Sequence, residues 1–199
     1  MFDHPDELPA DAMDPALCSF EGDFYGEGTV DWTHGNAVAR IPGSQDFVVS
    51  LRNLDAIVKV SRAAGNIVWK LGDGMDFELE DPDGLGWFYG QHDAKISADG
   101  TMLVFDNHGI GTWSRAMEFE LDETKMSARP VWSFRVPYTA AGGTVDKLDN
   151  GHYLISTGNA KTLHEVDPDG HEVWSARFPP MPDMLSIGRI APYPAIWRD

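Results

Sequence analysis

His34, Arg52 and His92 stand out in a 199-residue chain that carries 32 acidic against 15 basic side chains and a net charge of −17. Imidazole changes its charge close to neutral pH. Guanidinium presents a planar fork of donors suited to a tetrahedral oxyanion. Each of these residues sits where an extended run should begin or end. The segments are Asp31-Trp32-Thr33-His34-Gly35-Asn36-Ala37-Val38, Ser50-Leu51-Arg52 and Gly90-Gln91-His92-Asp93-Ala94, followed by Phe105-Asp106-Asn107. In so acidic a chain, such groups point to an anion site, because a small anion needs a local positive focus to overcome the global field. By period two, Ser50 and Arg52 share a strand face opposite Val49 and Leu51. Asn36 shares the face of His34 and is placed to donate to a ligand oxygen, and Asn107 can do the same at the end of its strand. His4, His108, His152, His164 and His171 read as structural or surface residues. Asp93 falls on the face opposite His92, so no metal site is expected.

The elements that must position these residues follow from a pattern that recurs three times. A short apolar run is followed by an alternating run, a glycine turn and a further alternating run containing tryptophan. The first copy is Phe47-Val48-Val49-Ser50, Ala56-Ile57-Val58-Lys59-Val60 and Gly65-Asn66-Ile67-Val68-Trp69. The second holds Met102-Leu103-Val104-Phe105, the third Tyr153-Leu154-Ile155-Ser156, and their closing runs contain Trp132 and Trp174. The longer spacing between Trp69 and Trp132 contains an insertion, Asp73–Gly86. Repeats of about 40–50 residues built of short strands mark a β-propeller. Asp99-Gly100, Asn150-Gly151 and Asp169-Gly170 supply turns between the runs. No segment has a sustained helical period with caps.

The expected fold is therefore all-β: about three blades of a propeller. Residues 1–28 form an irregular lead-in, and 29–199 a partial propeller with blades at about 30–72, 88–135 and 141–178 and a C-terminal closing segment. Three blades do not close a ring, since propellers typically have four to eight. The chain is expected to be a fragment of a longer protein, or to close its ring with added strands or with a second copy. Equivalent blade positions converge near the axis, which brings His34 and His92 together and puts Gly143 at the corresponding place in the third repeat.

Composition excludes other classes. A net charge of −17 argues against nucleic acid. Hydrophobic content of 42% with seven tryptophans supports a real core. Cys18 is alone, so neither an internal disulfide nor a thiolate metal cluster can form. No apolar run is long enough to span a membrane. The acidic N-terminus, Met1-Phe2-Asp3-His4-Pro5-Asp6-Glu7, lacks an apolar signal region, so the chain as written is expected in the cytoplasm.

The ordered set of motifs resembles the aryl sulfotransferases that do not use PAPS. It comprises Asp31-Trp32-Thr33-His34-x-Asn36, Ser50-x-Arg52, Lys59-x-x-Arg62-x-x-Gly65-x-x-x-Trp69-x-Leu71-Gly72, Gln91-His92-Asp93-Ala94, Phe105-Asp106-Asn107, Gly142-Gly143-x-Val145, Asp149-Asn150-Gly151, Glu165-Val166-Asp167 and Gly188-Arg189-Ile190. The resemblance implies a six-bladed propeller whose upstream half adds a further histidine, and a periplasmic or exported setting for a full-length form. It implies ping-pong transfer of a sulfuryl group from a phenolic sulfate donor to a phenol acceptor, with no cofactor. His92 matches the histidine that is sulfurylated, and His34 and Arg52 match residues that hold the sulfuryl oxygens. Trp32, Trp87, Phe88 and Tyr89 are near enough in sequence to clamp an aryl ring, with packing in the core or rim as the alternative. A propeller that binds an anionic or aromatic ligand without turnover is the competing expectation.

Overall fold

The computed structural model describes Leu8, residues 31–109 and residues 111–179. The rest of the expected lead-in and the C-terminal closing segment, with Gly188-Arg189-Ile190, lie outside the described residues.

Among the described residues, thirteen strands form three sheets. The first runs in chain order through β1 (Gly35–Arg40), β2 (Phe47–Leu51), β3 (Ala56–Val60) and β4 (Ile67–Leu71). The second contains β6 (His92–Ile96), β7 (Met102–Asp106), β8 (Trp113–Asp122) and β9 (Ser127–Pro137), with β5 (Glu78–Leu79) added parallel to the outer side of β9. The third is β10 (Thr144–Lys147), β11 (Tyr153–Ser156), β12 (Thr162–Val166) and β13 (Glu172–Arg177). Each is an antiparallel meander, and β1, β6 and β10 lie side by side as the innermost strands. This is the blade arrangement of a β-propeller. Helical structure among the described residues consists of two short 3-10 turns, Arg52–Leu54 and Gly158–Ala160. None of it is long and apolar enough to cross a membrane.

The repeat extends to its irregularities. The third and fourth strands of every blade are offset at the same place: at Lys59/Val60, Glu118/Phe119 and Glu165/Val166. Gly100, Gly151 and Gly170 all adopt positive φ in the turns foreseen for them, a conformation that costs glycine little. The insertion after Gly72 is less idle than its sequence suggests, because Glu78 and Leu79 pair with Ser127 and Ala128.

Blade stacking explains the unbroken apolar run of β7. Met102 and Val104 face the first blade and pack with Val48, Ile57, Trp69 and Leu71. Leu103 and Phe105 face the third and pack with Val145, Tyr153 and Ile155. A strand buried on both faces loses the polar alternation of a half-exposed one. Trp87 and Phe88 belong to the first of these cores, both at about 6 Å from the Phe119 ring. They are thus core residues, the packing alternative of the two that the sequence left open. Polar links cross the second seam: Lys147 Nζ donates to Asp99 and Glu118, and Tyr153 donates to Glu118.

Candidate functional site

His34 closes a short turn that begins at Asp31. One carboxylate oxygen of Asp31 accepts the His34 backbone N–H at 3.0 Å, and the other accepts from its Nδ1. The turn is sewn to the end of β2. The backbone N–H groups of Arg52 and Asn53 donate to the carbonyls of His34 and Thr33, each at 3.2 Å. Asn53 Nδ2 donates to the Asp31 carbonyl at 2.6 Å. Arg52 does not continue β2, as the period-two reading had it. The strand ends at Leu51, and Arg52–Leu54 forms a 3-10 turn that finishes in left-handed Asp55 at φ 47°. Its place is set by that turn and by Nη1 donating to Asn53 Oδ1 at 2.9 Å. Side-chain alternation stops where the strand stops.

His92 opens β6 and is fixed from the first blade. The Gly90 N–H donates to Asp55 Oδ1 at 2.5 Å, and burial raises the Asp55 carboxyl above the usual carboxylate range against that bond. The Gln91 side chain is fully buried, and its amide nitrogen donates to Ala56 O at 2.8 Å, Ser50 Oγ at 3.2 Å and Leu51 O at 3.4 Å. Asn36 Nδ2 in turn donates to the Gln91 carbonyl at 2.7 Å. That amide therefore holds the neighbouring blade in place. The sequence singled out Asn36 but not this role.

Bulges re-aim the two histidines. The pairing of β1 with β2 shifts between Gly35 and Ala37, and that of β6 with β7 between His92 and Lys95. His34 and Asp93 both take positive φ there, at 45° and 54°. The innermost pair of the third blade, β10 with β11, is regular. A bulge bends its strand and turns one side chain out of the alternation. The rings of His34 and His92 come to 6.4 Å between centroids, inclined at 68°. At the corresponding third position, Gly143 has φ 111°, and a Cβ there would lie 2.3 Å from the Phe105 ring. The third blade thus offers a wall in place of a side chain. Asp93 turns away from His92 and accepts from Lys95 Nζ at 2.7 Å and Val145 N at 3.0 Å.

The orientation of His92 is decided by Asn107. Asn107 Nδ2 donates to the carbonyls of Thr139 and Gly142, both at 2.9 Å, so its amide cannot be reversed without facing oxygen with oxygen. Its Oδ1 then faces His92 Nδ1 at 2.8 Å. A carbonyl oxygen only accepts, so Nδ1 carries the proton and Nε2 carries the lone pair. Burial pushes His92 down to about 4; the nearby charges of Arg52 and His34 add to this, and the Asn107 bond opposes it. The ring is neutral at pH 7. Beneath it, buried Asp106 accepts from Tyr89 N at 3.0 Å, His108 N at 2.7 Å and Arg115 Nε at 2.7 Å. Arg115 also donates to the carbonyls of Leu85 and Trp87.

The site thus gathers His34, Arg52, His92, Asn36 and Asn107 along the seam of the first two blades. Trp32, expected to bind substrate, is half-buried and packs one side against the apolar cluster of Leu8, Leu51, Ala56 and Val58. The other described histidines are engaged elsewhere: His108 with Asp106 and Trp113, His152 with Glu165, His164 with Glu172, and His171 with Asp167. Sequence reading placed Asn107 as a donor to ligand and missed that it orients His92. The available signal was two successive polar residues, Asp106-Asn107, ending an apolar strand that is buried on both sides.

Comparison with known proteins adds a further line. The profile of the arylsulfotransferase (ASST) family matches residues 11–176. Arylsulfate sulfotransferase AssT of Escherichia coli is 24% identical over 204 residues, covering 76% of this chain and 34% of that protein. The chain thus spans about a third of the length of this curated relative. Among solved structures, aldose sugar dehydrogenase from Streptomyces coelicolor is similar over 69% of this chain and 46% of its own, with a TM-score of 0.49 and 19% identity. Virginiamycin B lyase from Staphylococcus aureus is similar over 74% and 42%, with a TM-score of 0.47 and 13% identity.

Proposed function

Because the chain belongs to the arylsulfotransferase family, we propose that it is aryl sulfotransferase-like, moving a sulfuryl group from a phenolic sulfate ester to a phenol, with His92 carrying the group between them. One observation supports this reading above the others: a half-buried, neutral imidazole whose Nδ1–H is held by Asn107, leaving Nε2 as the nucleophilic nitrogen. A ligand-binding propeller has no need to prepare a lone pair in this way.

In the proposed sequence, Nε2 attacks sulfur, the bond from sulfur to the aryl oxygen breaks, and a phenoxide departs with that electron pair. The ring gains positive charge as the N–S bond forms, and Asn107 Oδ1 faces the N–H that carries much of it. Charge on the non-bridging oxygens is met by Arg52, which keeps further N–H groups beyond the one bound to Asn53. His34 is turned by Asp31 so that Nδ1 faces the carboxylate and Nε2 is its other polar atom. A second phenol then takes the sulfuryl group: its oxygen bonds to sulfur, the N–S pair returns to Nε2 and restores the neutral ring, and its proton passes to solvent, which supplies one to the departed phenoxide. The blades needed to close the ring come, in this reading, from a longer polypeptide or from a second copy of the chain.

Intact-mass spectrometry after mixing with 4-nitrophenyl sulfate tests the proposal. One added sulfuryl group on the His92 peptide, absent from His92→Ala, together with nitrophenol release, is the expected result. Release that continues unchanged in His92→Ala removes the nucleophile from the scheme.

A further inference from the structure

The loop after Asn107 carries an ordered stack of rings that sulfuryl transfer itself leaves unused. The His108 ring lies nearly parallel to Trp113, with centroids 3.9 Å apart at 20°. The guanidinium of Arg135 sits 4.2 Å from the Trp113 ring centre. Strand register builds this arrangement: Arg115 lies opposite Arg135, and Trp113 is two residues before Arg115 on the same face.

His108 is held in a left-handed conformation, φ 60°, by its N–H bond to Asp106. At Gly111 a Cβ would lie 2.9 Å from His108 Cδ2, so only glycine lets the loop close on the ring edge. The loop is fastened again at Gly109, whose N–H donates to the Tyr89 carbonyl and whose carbonyl accepts from the Tyr138 hydroxyl. His108 Nδ1 is buried with no hydrogen-bond partner among the described residues, and with the Asp106 carboxylate 3.9 Å from it, stacking on Trp113 and that carboxylate set the plane of the ring. One face is covered by Trp113, yet 35% of the side chain remains exposed.

We infer that the outer face of His108 is the platform on which the phenol ring of the substrate lies, an inference that rests on the proposed sulfuryl transfer. His108 follows Asn107 by one Cα spacing, about 3.8 Å, and Asn107 touches the reactive imidazole. A flat ring placed there extends the order Arg135, Trp113, His108 by one member. A cation behind the stack favours an electron-rich ring such as a phenol. The platform selects aromatic hydroxyl compounds over alkyl alcohols of similar size.

The test is direct titration of the protein with 4-nitrophenol by calorimetry, using wild type, His108→Ala and His108→Phe, with melting temperature as the folding check. Removing one stacked partner should weaken binding about 3- to 10-fold, and phenylalanine should restore most of it. Binding lost equally in both variants, binding unchanged in His108→Ala, or no binding by the wild type overturns the inference. Adduct formation on His92 is measured separately with 4-nitrophenyl sulfate. Phenol binding that depends on His108 without any adduct keeps the platform and removes the transfer reading.

Discussion

Replacing Asn107 by alanine should slow formation of the His92 adduct by about 10- to 100-fold while leaving the nucleophile in place. In the resting site the contact is a neutral hydrogen bond at 2.8 Å. Such a bond contributes about 0.5–1.5 kcal/mol, and about 1.5–3 kcal/mol once one partner is charged. The imidazole becomes cationic as Nε2 bonds to sulfur, so the bond strengthens by roughly 1–2 kcal/mol on the way to the transition state. At about 1.4 kcal/mol per tenfold in rate, this accounts for most of the effect, and loss of the fixed tautomer supplies the remainder. Folding is weakened by a comparable amount. The Thr139 carbonyl keeps the Ser114 hydroxyl at 3.3 Å, whereas the Gly142 carbonyl loses the Asn107 amide, a cost of about 1–3 kcal/mol. The assay is rapid-quench intact mass with 4-nitrophenyl sulfate, at a temperature where both proteins are folded. Nitrogen chemical shifts of His92 report the tautomer independently. An adduct rate within about threefold of wild type, or a resting ring protonated on Nε2, would refute the reasoning.

Four other outcomes are expected. Because His92 sits at about 4, its adduct rate should stay level from pH 8 to 5 and fall only near pH 4; a midpoint near 6.5 in a pH–rate profile contradicts this. The same shift has a stability consequence, since between about 4 and 6.5 the unfolded chain binds a proton that the folded chain does not. Acidification through that window should therefore cost the wild type up to about 3 kcal/mol relative to His92→Ala in denaturant titrations; Asp55 and Asp93, both raised by burial, act in the opposite sense and cancel in the comparison. Gly143→Ala should lose about 2–5 kcal/mol, because its Cβ meets the Phe105 ring at 2.3 Å and its φ is 111°; an unchanged melting temperature would show that the wall can yield. Arg115→Ala should cost about 3–5 kcal/mol by leaving buried Asp106 without its cation, which chemical denaturation will measure.

The blades were legible because alternation, glycine turns and tryptophan recur with the same order, and none of these depends on distant contacts. β5 was not, because two residues carry no period and their pairing with β9 exists only after the chain has returned. Arg52 was found for its charge but misplaced on the strand, since nothing in Ser50-Leu51-Arg52 announces the 3-10 turn that begins there. Trp87 and Phe88 illustrate a general ambiguity: large aromatic residues beside a motif serve a core and a ligand equally well until burial decides. Asn36 and Asn107 were singled out by position, yet their work is on backbone carbonyls and on His92. A sequence shows which side chain can donate. It does not show which carbonyl will be waiting for it.

The His92 ring is oriented within its own blade by Asn107, but the Gly90-Gln91 segment that carries it is pinned by the neighbouring blade, through Asp55, Ala56, Ser50 and Asn36. These bonds join residues 35–55 apart in sequence, so they bridge one meander to the next and not strands within either. The histidine pair therefore comes into register only when the seam shuts. A chain whose seam is open holds His34 and His92 as separate side chains, and shutting the seam is what makes them neighbours.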